Sequence, residues 1–207
     1  MDHLKIGIDF DDVLFKTAEK TADLYNARYG TQLTKDNWYN FSPMSPWGTD
    51  KLPEAVRRVV EIMASDEFVG VTPIEGARIV LEELRGQGDE LIVLTGRPEA
   101  MRRITLLALK ECYPDIFSQN GLYFTNHFGK PDERVGKGSI AKQLGLTHFI
   151  DDQVEHVQDV ASEGVQAILF SDNYAWNQTQ LDEDIVRVSN WEEIGAYFED
   201  VHRGRAE

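Results

Sequence analysis

The stretch Ile6–Phe15, IGIDFDDVLF, constrains this chain more than any other. The apolar residues Leu4, Ile6, Ile8 and Phe10 run without a break into Asp9, Asp11 and Asp12. An apolar run this short reads as a strand buried on both faces, as in a parallel sheet. Three carboxylates at the end of such a strand are costly to desolvate unless a cation or hydrogen-bond donors meet them. In open α/β sheets, ligands bind at the carboxyl ends of the strands. The stretch therefore reads as a metal-and-anion site built on the first strand; a solvated acidic turn is the plain alternative.

Composition narrows what such a site can serve. The chain has 207 residues, 42% hydrophobic and 28% charged, as expected of a globular protein with a full core. Its net charge of −15 argues against a grip on a nucleic-acid polymer but leaves room for a small phosphorylated substrate held in a locally cationic cleft. No apolar run is long enough to span a membrane. Met1-Asp2-His3 leads straight into a strand, with no basic-plus-apolar leader, and Cys112 is the single cysteine. Both features point to a reducing, cytoplasmic setting. Five scattered histidines and one cysteine make no zinc constellation.

Along the chain, the spacing predicts helices over Thr17–Tyr29, with Gly30 placed to stop the first, and over Leu52–Ala64, with Pro53 in its first turn. Between them lies a turn- and aromatic-rich segment holding Trp38, Tyr39, Phe41 and Trp47. Residues 15–71 thus read as a helical insert, with 1–14 and 72–207 as the core. From Thr72 helices and strands alternate: helices over Gly76–Arg85, Glu99–Cys112, Gly138–Leu144 and Val154–Ser162, and strands over Glu90–Leu94, Leu122–Thr125, Thr147–Ile150 and Val165–Phe170. An edge strand, Ile185–Val188, and a helix, Trp191–Val201, capped by Asn190, complete the pattern, with Arg203–Glu207 expected to fray. Such alternation predicts an α/β fold: a Rossmann-like parallel sheet with helices on both faces.

Other strand ends carry matching chemistry. The strand LIVL runs into Thr95-Gly96-Arg97, offering a hydroxyl and backbone amides. Lys137 stands just before a short helix, and the strand HFI ends in Asp151-Asp152. Taken singly, Thr95 reads as a turn residue, Lys137 as a solvated lysine, Asp151 and Asp152 as helix caps, and Arg97 as a surface group. Together they combine carboxylates for a hard cation with donors for phosphoryl oxygens. Lys130 rivals Lys137 for the lysine role, but Lys137 directly precedes the helix that leads to the acid pair.

With DxDxV at Asp9–Val13, an apolar strand ending in Thr95, then Lys137, then Asp151-Asp152, the chain resembles the haloacid dehalogenase-like hydrolases over residues 4–14 and 72–190. The resemblance implies that Asp9 is the nucleophile, forming an aspartyl phosphate, and that Asp11 is the general acid and base. It implies that Thr95, Gly96 and Lys137 hold the phosphoryl group. Mg2+ would be bound by Asp9, the Asp11 carbonyl and the acid pair, with Asp152 favoured as direct ligand and Asp151 as support. Asp11 must be protonated when the leaving group departs, so neighbouring acids are expected to raise its pKa. Dehalogenases of this superfamily lack the second Asp, so phosphoryl chemistry is implied. Asp12 stands where many members carry Gly or Ser, and is expected to point away or bond nearby backbone.

The insert lies where the superfamily often places a helical cap, and the layout looks like the 5′(3′)-deoxyribonucleotidase branch. By that likeness Trp38 and Trp47, together with Phe15 and Arg97, are candidates for substrate contact; the alternative is that the aromatics form the insert's own small core. The resulting expectation is a Mg2+-dependent phosphomonoesterase acting on a small phosphorylated metabolite, foremost a nucleoside monophosphate. A sugar-phosphate phosphatase or phosphomutase on the same core, a receiver-type signalling module and an idle phospholigand binder are the rivals. A homodimer is left open.

Overall fold

β1 (Lys5–Ile8) lies inside a six-stranded parallel sheet of order β3-β2-β1-β4-β5-β6. The computed structural model describes residues 3–37, 46–118, 120–127, 131–172 and 174–206. β1 pairs with β2 (Glu90–Thr95) through Ile6 opposite Leu91, and with β4 (His148–Asp151) through Ile6 opposite His148. β3 (Leu122–Phe124) lies outside β2, while β5 (Gln166–Phe170) and β6 (Val186–Val188) extend the sheet beyond β4. The chain therefore builds outward from β1 in one direction, then restarts beside it at β4. Such a reversal opens a crevice at the carboxyl ends of the two central strands. Asp9 and Asp151 stand at those ends, and the Asp9 N–H donates to the Ile150 carbonyl at 2.9 Å.

The period of two along the strands explains the layers. Ile6, Ile8, Leu91, Val93, Ile150, Ile168 and Phe170 face one buried cluster. It is shared with α3 (Ala77–Gly86), α4 (Arg102–Cys112) and α7 (Trp191–Ala206). Ile92, Leu94 and Phe149 face the other side, against α5 (Lys137–Leu144) and α6 (Val154–Ser162), where Ala167 and Leu169 meet Val157. Gly138 allows α5 and α6 to cross closely, since a Cβ there would lie 2.5 Å from the Asp159 carbonyl oxygen. No helix among the described residues is long and apolar enough to cross a membrane.

Between β1 and α3, α1 (Thr17–Tyr29) and α2 (Leu52–Met63) pack around Ala22, Tyr25, Leu33, Trp47, Ala55 and Ile62. As expected, Gly30 ends α1, at φ 67°, and its N–H donates to the Asn26 carbonyl at 2.8 Å. The segment leaves and rejoins the rest of the chain at one place: Lys16 N–H donates to the Thr72 carbonyl at 2.9 Å, and Ile74 N–H to the Leu14 carbonyl at 2.9 Å.

The sequence-predicted elements are present with shifts of a residue or two at their ends. The expected helix from Glu99 begins as a 3-10 turn, Glu99–Met101, before α4. The chain end departs further from expectation, since α7 continues to Ala206 instead of fraying from Arg203. At this end His202 Nδ1 lies 2.7 Å from the Phe198 carbonyl and its Nε2 3.0 Å from Asp89 Oδ2, while Asp89 Oδ1 accepts the Leu4 N–H.

That end of the sheet also carries a pH response. His148 is buried in β4 against Tyr197 and Phe198. Burial lowers its pKa to about 4, helped by Arg205 and His202 and opposed by Asp89. Below the ordinary histidine value of about 6.5, the unfolded chain takes up a proton that the folded one refuses. Stability from this group is therefore lost as pH falls from about 6.5 towards about 4, by about 2 kcal/mol at pH 5. The check is urea unfolding at pH 7 and pH 5 of wild type beside His148→Phe; the variant should show the smaller drop. Equal drops would discard this assignment.

Candidate active site

The loop after β1 folds back on itself. Phe15 N–H donates to the Phe10 carbonyl at 3.2 Å, and Asp12 N–H to the Phe15 carbonyl at 2.8 Å. Asp12 sits in the left-handed region at φ 54°, an uncommon state for a residue with a side chain. Its carboxylate accepts the Ala18 N–H at 3.1 Å, so this acid caps the first turn of α1, as expected of a side chain that bonds nearby backbone. Three aromatic donors from distant elements hold the loop. Tyr174 bonds the Asp12 carbonyl at 3.0 Å, Trp191 the Val13 carbonyl at 2.9 Å and Tyr113 the Leu14 carbonyl at 2.7 Å. Among the described residues no donor takes the Asp11 carbonyl.

Lys137, at the first turn of α5, reaches back under this loop. Its Nζ lies 2.5 Å from Asp9 Oδ1 and 2.5 Å from Asp151 Oδ2, and all three side chains are buried. The second oxygen of Asp9 accepts the Asp11 N–H at 2.8 Å, and that of Asp151 accepts the Gln153 N–H at 2.8 Å. Burial pushes Asp9 up to about 6 against the pull of Lys137, with Asp151 and Asp11 adding to the rise. Asp152 is raised well above the carboxylate range by burial and then by Asp151, Asp12 and Asp9. Burial likewise raises Asp12, against the Ala18 N–H. Asp151 moves the other way, because Lys137 and His156 outweigh its burial. Burial disfavours the Lys137 ammonium, yet Asp151 and Asp9 outweigh it and raise its pKa. The cluster thus holds more buried carboxyl groups than Lys137 alone can keep ionised.

Asp9, Asp151 and Asp152 bring carboxylate oxygens within 4.8 Å of one another. An all-oxygen, electron-rich, buried set of this kind fits a hard divalent cation.

Arg97 does not reach outward. Its guanidinium is fully buried, 3.9 Å from the Phe10 ring and 4.9 Å from that of Phe68. It donates to Asp11 from Nε at 2.9 Å and from Nη2 at 2.7 Å, and to the Thr105 hydroxyl at 3.1 Å. Thr17 adds a further donor to Asp11 at 2.7 Å. The expected surroundings of Asp11, acids alone, therefore missed its counter-ion. Thr95 ends β2, and its buried hydroxyl accepts the Arg97 N–H at 3.2 Å.

A cavity of about 530 Å3 opens above these groups. Asp9, Asp11, Gly96, Arg97, Lys137 and Asp152 line its polar floor, and Val56, Val59, Val60 and Met63 of α2 form an apolar wall. Asp151 and Thr95 lie just behind that floor. Trp47 touches the cavity but is packed edge-on against Tyr25, whose hydroxyl donates to the Trp47 carbonyl at 2.8 Å. Phe15 is not brought to the cavity. Its ring stacks on Phe10 at 4.4 Å in the main core, because the folded-back loop turns it inward. Trp38 and Lys130 lie outside the described residues.

Sequence reading missed several groups at the site: Thr17, His127, Gln153, His156 and Trp176. Of these, Trp176 follows the end of β5, and the strand-end rule applied to β1, β2 and β4 would have pointed to it.

Known proteins resemble this chain in sequence and in fold. Residues 3–201 match the family model described as 5′ nucleotidase, deoxy (pyrimidine), cytosolic type C protein. A Bacillus cereus protein named "Putative nucleotidase" is 22% identical over 200 residues, covering 93% of this chain and 96% of its own. A haloacid dehalogenase-like protein of Agrobacterium tumefaciens superposes with a TM-score of 0.63 at 14% identity, over 97% of this chain and all of that one. A haloacid dehalogenase family hydrolase of Deinococcus radiodurans, solved with bound phosphate and sodium, gives 0.60 at 16% identity over 96% of each chain.

Proposed function

Since the chain belongs to the 5′ nucleotidase, deoxy (pyrimidine), cytosolic type C family and is a haloacid dehalogenase-type phosphatase, we propose that it is a Mg2+-dependent nucleotidase working through an aspartyl phosphate. One observation carries this reading: a single cavity joins the Asp9–Lys137–Asp151 cluster and Asp152 to an apolar wall. The polar floor suits a phosphoryl group, and the wall suits the face of a base.

In the proposed reaction an Asp9 carboxylate oxygen attacks phosphorus while the ester P–O bond breaks. Asp11 gives its proton to the departing oxygen. Water then attacks the phosphorus of the acyl phosphate, its proton passes to Asp11, inorganic phosphate leaves and the Asp9 carboxylate is restored. Lys137, with the Gly96 amide and Thr95 behind it, would neutralise and orient the phosphoryl oxygens. Arg97 and Thr17 orient Asp11 between these steps. Asp9, the Asp11 carbonyl and Asp152 would hold Mg2+, with Asp151 locking Lys137 in place. The ion supplies charge to offset repulsion between carboxylate and phosphate dianion.

Residues 15–71 form a cap in this reading, since α2 supplies the wall facing the floor. The base would lie against Val56, Val59, Val60 and Met63, with the Trp176 ring at the cavity edge. The name of the matched family supports (deoxy)nucleoside monophosphates as substrates. The single cysteine supports a cytoplasmic setting.

The test is phosphate release from nucleoside 5′- and 3′-monophosphates and from sugar phosphates, with Mg2+ and with chelator. Mg2+-dependent release strongest on deoxynucleotides is expected. Release from sugar phosphates alone would remove the nucleotidase and keep the chemistry; silence across the panel would remove both.

A further inference from the structure

The acid cluster is braced from one side by a short element that the mechanism does not use, the 3-10 turn Ala175–Asn177 with Tyr174 before it. Tyr174 donates to the Asp12 carbonyl at 3.0 Å, on the loop after β1. Trp176 Nε1 donates to Asp152 Oδ2 at 2.6 Å, on the loop after β4. The two rings stack at 4.4 Å with 8° between their planes, so one aromatic pair spans both acidic loops. Asn177, fully buried, donates from Nδ2 to the Asp152 carbonyl at 2.9 Å and to the Phe170 carbonyl at 2.9 Å. The turn itself is anchored from β6: Arg187 donates to the Asn177 carbonyl at 2.8 Å and to the Ser171 hydroxyl at 3.0 Å.

We propose that this turn is a positioning element of the metal site, and that Trp176 is the residue that fixes the Asp152 carboxylate. The inference rests on the metal reading above. Asp152 Oδ2 accepts two donors, Trp176 Nε1 and Gln153 Nε2 at 2.9 Å. A carboxylate so held cannot rotate about its Cβ–Cγ bond without breaking both bonds. Its orientation is therefore set before a cation arrives, and the ordering entropy is not charged against binding. Groups that orient a metal ligand in this way change metal affinity by about 10–100-fold when removed. A tryptophan does this differently from a lysine: its N–H is neutral, so it orients the carboxylate without competing with the cation for charge. Its stacking on Tyr174 stiffens the donor, because a flat pair resists rotation of either ring.

The test is calorimetric titration with Mg2+ alone, in the absence of substrate, on wild type, Trp176→Phe and Gln153→Leu. Phenylalanine keeps a ring to stack on Tyr174 and removes the N–H. Expected is a Mg2+ Kd raised by about 10–100-fold in Trp176→Phe and in Gln153→Leu, with thermal melts in chelator matching wild type. The double variant should lose less than the product of the two, because both donors serve one oxygen. A Trp176→Phe protein that is folded and binds Mg2+ as tightly as wild type would overturn the positioning role while leaving the metal reading intact. If Trp176→Phe fails to fold, Trp176→Met takes its place in the same titration, and unchanged Mg2+ affinity there overturns the role equally. A wild type that binds no Mg2+ would instead overturn the metal reading.

Discussion

Asp9→Asn should reduce Mg2+-dependent phosphate release to the background of the uncatalysed reaction, a loss of at least about 10^4-fold. The amide is close in size to the carboxylate, and Asp9 is only 4% exposed, so packing changes little. What changes is chemistry. A neutral amide oxygen is a poor nucleophile towards phosphorus, and the site loses the charge of one of three carboxylates whose oxygens lie within 4.8 Å of one another. Lys137 keeps Asp151 as its partner at 2.5 Å, which preserves the floor of the site. Stability should move the other way from activity. Burial and neighbouring acids work against the Asp9 anion, so its neutral replacement should melt no lower than wild type in chelator. The pair of measurements is a phosphate-release assay and a thermal melt with chelator. More than a few per cent residual release would mean that another group is the nucleophile.

Lys137→Met should cost both activity and stability. The ammonium is 2% exposed and bridges Asp9 and Asp151, and the substitution leaves two buried carboxylates facing a thioether. Breaking one partner out of a buried ion pair typically costs about 3–5 kcal/mol, because the remaining charge is uncompensated. In a chain of this length that corresponds to a fall in Tm of roughly 10 °C in chelator. The orphaned acids can respond by taking up protons or by drawing in a cation more strongly. Mg2+ should therefore recover part of the lost Tm, and more of it than it adds to wild type. Phosphate release should fall by about 10^2–10^3-fold even at saturating Mg2+, from loss of one donor to the phosphoryl oxygens. Melting curves with and without Mg2+ decide the first half; a melt unchanged in chelator would show that the lysine does not balance the buried acids.

Strands were readable from the sequence wherever burial wrote a pattern into it. β1, β2, β4 and β5 are apolar on both faces, and the acids at the ends of β1 and β4 stand out because nothing in a buried strand should end that way. Backbone geometry carries these signals, so neighbours along the chain suffice to read them. Side-chain direction in loops follows different rules. Arg97 comes two residues after a strand, and nothing local indicates that it turns back to Asp11, 86 positions earlier in the chain. Phe15 was read as a substrate contact because it follows the acidic motif, but the backbone bonds that fold its loop turn it onto Phe10. The aromatics of the insert posed a choice between stacking platform and core. Tyr25 joins the small core with Ala22, Leu33 and Ile62, and Trp47 is packed there too, while the wall that faces the floor is aliphatic. The Tyr174–Asn177 turn escaped notice because its residues are neither acidic nor glycine-rich. Its importance lies in partners more than 20 residues away for Asp152 and more than 160 away for Asp12.

The crossing at Lys16 and Thr72 gives the chain a modular property. Residues 17–71 enter and leave through neighbouring backbone positions held by the Lys16–Thr72 and Ile74–Leu14 hydrogen bonds. Any segment whose ends can meet across one such pair of bonds could occupy the same doorway without altering the register of the sheet. Lengthening or replacing it costs little closure entropy, because that cost grows only with the logarithm of loop length. The acids, the lysine and most of their braces are anchored on the far side of the doorway, while Thr17, the Ala18 N–H on Asp12 and the Phe68 ring beside Arg97 reach them from the inserted side. In the proposed reading one contiguous stretch of gene thus carries the wall that meets the substrate, joined to the reacting groups at few places, among them Phe68 beside Arg97 and the Ala18 N–H on Asp12.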